Sequence, residues 1–114
     1  MPYYRLTRIN VDRSKVDAFI AFYEDVKPQL QGIRGFLSGN IIRTNNPEDD
    51  NTIGFLRRQG NPDEDQILAI DQYDSRASAD AAVEQIRSII LPAMAAFTTG
   101  EPLIREGESL WSLH

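Results

Sequence analysis

The chain opens on alternation. Residues 3–10, YYRLTRIN, switch between polar and apolar positions and are rich in aromatic and β-branched side chains, which predicts a strand. The period then lengthens. Val16, Phe19, Ile20, Tyr23, Val26 and Leu30 recur at three- and four-residue steps and line one face of a helix. Asp12 or Ser14 can accept the free N–H groups of its first turn, and Ser14-x-x-Asp17 approximates a capping box. Pro28 falls where it would kink the last turn, and Gly32 ends it. GFLSGNIIRT (35–44) predicts a second strand, and QILAIDQY (66–73) a third, apolar enough to be central. Asp74 or Ser75 then caps a second helix over 75–97. Its Ala82, Val83, Ile86, Ile89, Ile90, Ala93, Met94 and Phe97 give a wide buried face, bent or interrupted at Pro92. TTGEP reads as a turn, and residues 103–114 as a closing strand with a bulge at Gly107.

The resulting order, βαββαβ, is the split pattern of an α+β ferredoxin-like sandwich, with two helices on one face of an antiparallel sheet. A chain of 114 residues suits one such domain, spanning 1–114. The strands are apolar at both parities: Ile67 and Ala69 against Leu68 and Ile70, Ile41 against Ile42. A sheet wetted on one side alternates more cleanly, so the second face is expected to meet the sheet of another copy, giving a homodimer. Between strands two and three an echo, NPEDD at 46–50 and NPDED at 61–65, brackets TIGFLRR (52–58), and predicts a hairpin-like extension over 45–65.

Charge refines this picture. The net charge is −5, and residues 45–65 hold six acids against Arg57 and Arg58, a local −4 that leaves −1 for the rest. The acidity therefore belongs to a loop, whose simplest role is solubility, and it argues against nucleic acid as a partner. No apolar run approaches the roughly 18 residues of a membrane span, and the first ten residues do not form a signal peptide. The absence of cysteine removes disulfides and thiol chemistry and fits a cytoplasmic home. The sole histidine is His114, so the chain has no zinc set, no Ser–His or Cys–His pair and no iron triad, and it carries neither Gly-rich phosphate motif. No metal and no cofactor is expected.

Three stretches carry a family likeness: GIRGFLSGNIIRT, with its glycine-phenylalanine entry to strand two; QYDSRASADAA, an aromatic at a strand end followed by acid, serine and helix; and TTGEPLI before the last strand. On these the chain resembles the antibiotic biosynthesis monooxygenase-like family of dimeric α+β barrels. The resemblance implies a small-molecule pocket between sheet and helices. Some members oxygenate electron-rich aromatic substrates without metal or organic cofactor, and others degrade haem. Tyr73 stands where a tryptophan often does, keeping the aromatic wall without the indole N–H. Strand three has no asparagine, a residue type that the characterised oxygenases and haem degraders of the family use beside that aromatic, and the lack of an internal histidine further disfavours haem degradation.

Aromatic and polar residues remain as candidates. Asp71 and Tyr73 share a strand parity, and on the helix side a buried Asp71 would have a raised pKa and could accept a proton from a phenolic substrate. Its plain alternative is a rim carboxylate paired with an arginine; that of Tyr73 is core packing. Arg5, Tyr23, Asn40 and Trp111 are the candidates for orienting or walling a ligand; the plain alternatives are solvated strand positions for Arg5 and Asn40, core filling for Tyr23, and a structural anchor or dimer contact for Trp111. Two functions follow. One is a binding protein for a small hydrophobic or aromatic ligand, working as a cofactor-independent oxygenase or isomerase on an aromatic or polyketide-like compound. The other is a non-catalytic dimer, a stress-associated or ligand-sensing module with the acidic extension as its contact element.

Overall fold

The computed structural model describes residues 2–44 and 63–113. Their order is β1 (Tyr3–Asp12), a 3-10 turn (Arg13–Lys15), α1 (Val16–Gln31), β2 (Phe36–Arg43), β3 (Glu64–Tyr73), α2 (Arg76–Phe97) and β4 (Thr98–Glu108). The strands form one antiparallel sheet in the order β2-β3-β1-β4, the ferredoxin-like arrangement that the pattern predicts. The strands with buried positions, β1 and β3, lie inside. β1 and β3 pair without interruption from Tyr3 opposite Tyr73 to Asp12 opposite Glu64.

Parity divides the sheet. Tyr3, Ile9, Val11, Ile67, Ala69 and Tyr73 are buried beneath the helices. The opposite face presents Leu6, Ile42 and Leu103, each about two-fifths exposed at 37%, 42% and 37%. No helix of the described chain covers that face, so the two-sided hydrophobicity of the strands is real and half of it is left open.

The core under the helices is not continuous. One cluster gathers Tyr3, Ile33, Tyr73, Ala79, Ala82 and Ile86 at one end of the sheet. A second gathers Ile9, Val11, Val16, Phe19, Ile67 and Ala93 at the other. Between them the helix-facing parity of β1 and β3 carries Arg5, Thr7 and Asp71, so a polar row crosses the middle of the layer. This gap positions the candidate site.

Several local expectations change. Asp12 caps the 3-10 turn, accepting from the Ser14 N–H at 3.0 Å, and α1 begins later behind Lys15 with no side-chain cap; the Ser14–Asp17 capping box does not form. The extra turn intercepts the cap because its own N–H groups come first. Ser75 does cap α2, accepting from the Ser78 N–H. Pro28 and Pro92 both sit inside helices that run past them, so α2 is not interrupted. Ile20, expected on the buried face of α1, is 39% exposed. No turn separates α2 from β4: the strand starts at Thr98, whose hydroxyl donates to the Met94 carbonyl, and ends at Glu108. The irregularity in β4 lies opposite Arg8–Asn10, between Leu103 and Thr99, rather than at Gly107. Residues 64 and 65 of the expected extension belong to β3, where Asp65 pairs with Arg13 and Arg43 at 3.0 and 3.3 Å. The remainder of that extension, 45–62, and His114 lie outside the described residues.

Gly35 makes the tight passage from α1 to β2. It adopts a φ of +81°, a Cβ there would collide with the Ser78 side chain, and its carbonyl accepts the Asp74 N–H at 2.9 Å. The start of α2 is thereby held against the start of β2.

Candidate functional site

The site is built on two adjacent central strands. Arg5 on β1 stands opposite Asp71 on β3, which is opposite Gly39 on β2; on the far side Arg5 stands opposite Glu106 on β4. One helix-facing row therefore crosses all four strands as Gly39, Asp71, Arg5 and Glu106. Strands hold such a row rigidly, because each position is fixed by ladder hydrogen bonds rather than by a loop.

The arginine in that row is fully engaged. Its Nε donates to Glu106 Oε2 at 2.8 Å, its Nη1 to the Tyr73 hydroxyl at 3.4 Å and its Nη2 to the Ala79 carbonyl at 3.3 Å. Its carbon centre lies 5.4 Å from the centroid of the Tyr73 ring. Tyr3 completes the grip, its hydroxyl donating to Glu106 Oε1 at 2.9 Å. Hydrogen bonding from Arg5 holds the Glu106 carboxyl below its usual range. The guanidinium thus directs its hydrogen bonds to Glu106, Tyr73 and Ala79 and makes none to the Asp71 carboxylate.

Asp71 is left as the exception. No side-chain hydrogen bond or salt bridge to it occurs among the described residues, so it is not the arginine-paired rim carboxylate of the plain alternative. Burial pushes its pKa up from 3.8 to about 6, and the nearby positive charge of Arg5 only partly opposes this. A carboxylate of that pKa is largely ionised at neutral pH yet basic enough to accept a proton, a combination suited to general-base work.

Two clefts meet at this group. One, of about 630 Å³, lies between α2 and β4, with Val83, Ile86, Ile90 and Met94 as its apolar wall and Arg5 and Asp71 at its base. The other, of about 620 Å³, lies between α1 and β2, and mixes Ile20, Tyr23 and Phe36 with Glu24, Lys27 and Asn40. A hollow of about 40 Å³ beneath both helices joins their linings through Thr7, Tyr23, Ile86 and Met94. Asp71 is the only described residue that lines all three.

The other candidates divide. Tyr23 lines the α1/β2 cleft and the hollow, packed edge-on against Phe19 at 5.1 Å; burial, then the Asp71 charge, push its phenol up to about 12. Tyr73 is fully buried at 0% exposure, edge-on to Phe36 at 5.4 Å, and lines neither cleft. It meets the site only through Arg5, and burial with the Asp71 charge also raises its phenol to about 12. Asn40 lines the α1/β2 cleft from the neighbouring register position, opposite Ile70. Trp111 lies in the tail beyond β4, 78% exposed and apart from both clefts, because the last strand ends three residues before it.

Thr7, Gly39 and Glu106 were not anticipated. Glu106 lies inside the closing strand expected over 103–114, but its place opposite Arg5 follows from the β1–β4 register, which the sequence pattern does not give. A glycine inside the second strand, Gly39, is itself a mark of close approach. Among the described residues no group of three His, Cys, Asp or Glu side chains is placed to hold a metal ion.

No family model and no curated protein matches the sequence. Solved structures do match the fold. A protein of unknown function from Nitrosomonas europaea superposes with a TM-score of 0.68 at 14% identity, over 99% of this chain and 93% of that one. A candidate antibiotic biosynthesis monooxygenase of the same organism gives 0.67 at 16%, over 96% and 91%. A variant of SnoaB, described as a cofactor-independent oxygenase from Streptomyces nogalater, gives 0.67 at 13%, over 98% and 96%. The chain has the α+β fold of the antibiotic biosynthesis monooxygenase-like structures.

Proposed function

We propose that the protein binds a small aromatic or polyketide-like compound and acts on it as a cofactor-independent oxygenase, with Asp71 as the base. What carries this is the desolvated, unbonded Asp71 carboxylate at the foot of a cleft of about 630 Å³ with an apolar wall. An electron-rich phenol or its CH-acidic tautomer fits that wall. Asp71 takes the proton, and the carbanion reacts directly with dioxygen. A CH₂ becomes a C=O, one oxygen atom enters the product, and the other leaves as water with both substrate hydrogens. Arg5 orients the base end of the cleft, and Tyr73 holds Arg5 in place. An isomerase needs only the first proton transfer and its return. The printed description of SnoaB as a cofactor-independent oxygenase is consistent with this chemistry.

The working unit is proposed to be a homodimer in the cytoplasm, joined through the open sheet face. Leu6, Ile42 and Leu103 supply the apolar surface for that contact. No helix of the described chain is long and apolar enough to cross a membrane. A non-catalytic ligand sensor uses the same cleft and differs only in lacking turnover. Oxygen uptake in the presence of dihydroxynaphthalenes and anthrones separates the two. Uptake that falls at least about tenfold in Asp71→Asn supports the oxygenase; binding without uptake supports the sensor.

A further inference from the structure

We infer that Asp71 is served from two sides: an aromatic ligand reaches it through the α2/β4 cleft, and water and small solutes reach it through the α1/β2 cleft, which Gly39 keeps open. It rests on the ligand chemistry proposed above and adds a route by which the proton leaves. Asp71 is the only described residue common to both clefts, so the two approaches converge on one carboxylate.

The linings differ in kind. The α2/β4 cleft has an aliphatic wall that includes the outward-facing Leu91 and Ile104, 58% and 49% exposed. The α1/β2 cleft also carries Tyr23, Leu30 and Phe36, but sets Glu24, Lys27, Gln31 and Ser38 among them, polar groups that hold water, and is the more polar of the two. The hollow between them, about 40 Å³, admits a water-sized molecule and no ring. A ligand in the first cleft therefore does not extend into the second.

Gly39 is the residue that opens the second side. Its backbone does not require glycine, since only Gly35 and Gly100 have positive φ among the described residues. What it leaves is space beside the carboxylate: a Cβ at position 39 would press on Phe36 Cζ at 3.1 Å and reach van der Waals contact with Asp71 Oδ1 at 3.4 Å. Any longer side chain there would lie across the carboxylate. With glycine in place, a proton taken from the ligand passes to water on the opposite side, and the ligand need not leave first.

The test is carboxyl footprinting with a water-soluble carbodiimide and glycinamide, read at Asp71 by peptide mass spectrometry, with and without saturating 2-naphthol. In the wild type most of the labelling should survive 2-naphthol, because the second side remains open. In Gly39→Val with 2-naphthol bound, labelling should fall about tenfold, while Ala95→Phe should weaken 2-naphthol binding about tenfold and leave labelling in place. Full protection of wild-type Asp71 by 2-naphthol overturns the inference, and so does unchanged labelling in Gly39→Val. If Gly39→Val does not fold, the wild-type protection measurement decides alone. If 2-naphthol does not bind, the proposed function suffers. The inference is then judged on labelling without ligand: labelling that largely persists in each single variant but falls about tenfold in the Gly39→Val, Ala95→Phe double variant supports two routes, and near-complete loss in either single variant contradicts them.

Discussion

Arg5 grips Tyr73 twice, with its guanidinium carbon 5.4 Å from the ring centroid and Nη1 donating to the phenol oxygen at 3.4 Å. The tyrosine at the end of β3 is thus core to the fold and support to the site. It fixes the arginine that in turn neutralises Glu106, and so it keeps that arginine from closing on Asp71. The carboxylate of Asp71, with Arg5 opposite on one side and Gly39 on the other, stays unbonded because Arg5 donates to Glu106, Tyr73 and Ala79 instead.

Removing the arginine should expose that arrangement. Arg5→Gln loses a charge-assisted bond to Glu106 at 2.8 Å, in which the arginine is covered and the glutamate is 34% exposed. The cost is expected to be about 1–3 kcal/mol in urea unfolding. Arg5 also lowers the Asp71 pKa, so the same variant should titrate Asp71 above the wild-type value. A stability loss without that upward shift would mean the two groups do not sense each other.

The raised pKa of Asp71 makes a signed prediction about stability. The folded state holds the proton more tightly than the unfolded chain, whose aspartate has the ordinary 3.8 against about 6 when folded. Between those values the native state binds more protons, so stability falls as pH rises from about 4 to about 6, and is constant above. The loss is on the order of 3 kcal/mol. Asp71→Asn should match wild type near pH 4 and exceed it by that amount at pH 8. Denaturant midpoints across pH check this, and a gap that does not widen with pH contradicts it.

Tyr73 and Gly35 test packing. Tyr73→Phe removes one long hydrogen bond and should cost under about 1 kcal/mol, whereas Tyr73→Ala empties a fully buried aromatic position and should cost about 3–5 kcal/mol. Gly35→Ala forces a left-handed residue against Ser78 and should cost about 1–3 kcal/mol, part of it recovered in a Ser78→Gly background. Thermal unfolding of the single and double variants reads both. Full additivity at positions 35 and 78 would deny the contact.

Much of the fold was legible in the sequence, because period alone separates its elements. Val16 to Leu30 step as a helix and Ile67 to Tyr73 as a central strand, and both lie where their pattern puts them. The end of the chain misled. TTGEP contains glycine and proline and reads as a turn, but β4 is an edge strand whose outer side tolerates both, with an irregularity absorbing them. Glu106 lay within the expected strand, but its pairing with Arg5 depends on a register that the pattern does not set. Asp71 was legible from parity with the buried Ile67 and Ala69. Its freedom from Arg5 was not, since this depends on a contact from a strand a hundred residues away along the chain.

The homodimer makes its own prediction. At micromolar concentration, light scattering should return twice the 12.9 kDa chain mass, and an acidic residue at Leu6 or Ile70 on the open face should return the single mass. A monomeric wild type would end the proposed pairing through the sheet.

Carbon-13 NMR of the aspartate carboxyls, titrated from pH 3 to pH 9 and assigned with Asp71→Asn, tests the centre of the account. A midpoint for Asp71 near 6 is expected. A midpoint near 4, the value of a solvated aspartate, would remove the base on which the proposed chemistry depends.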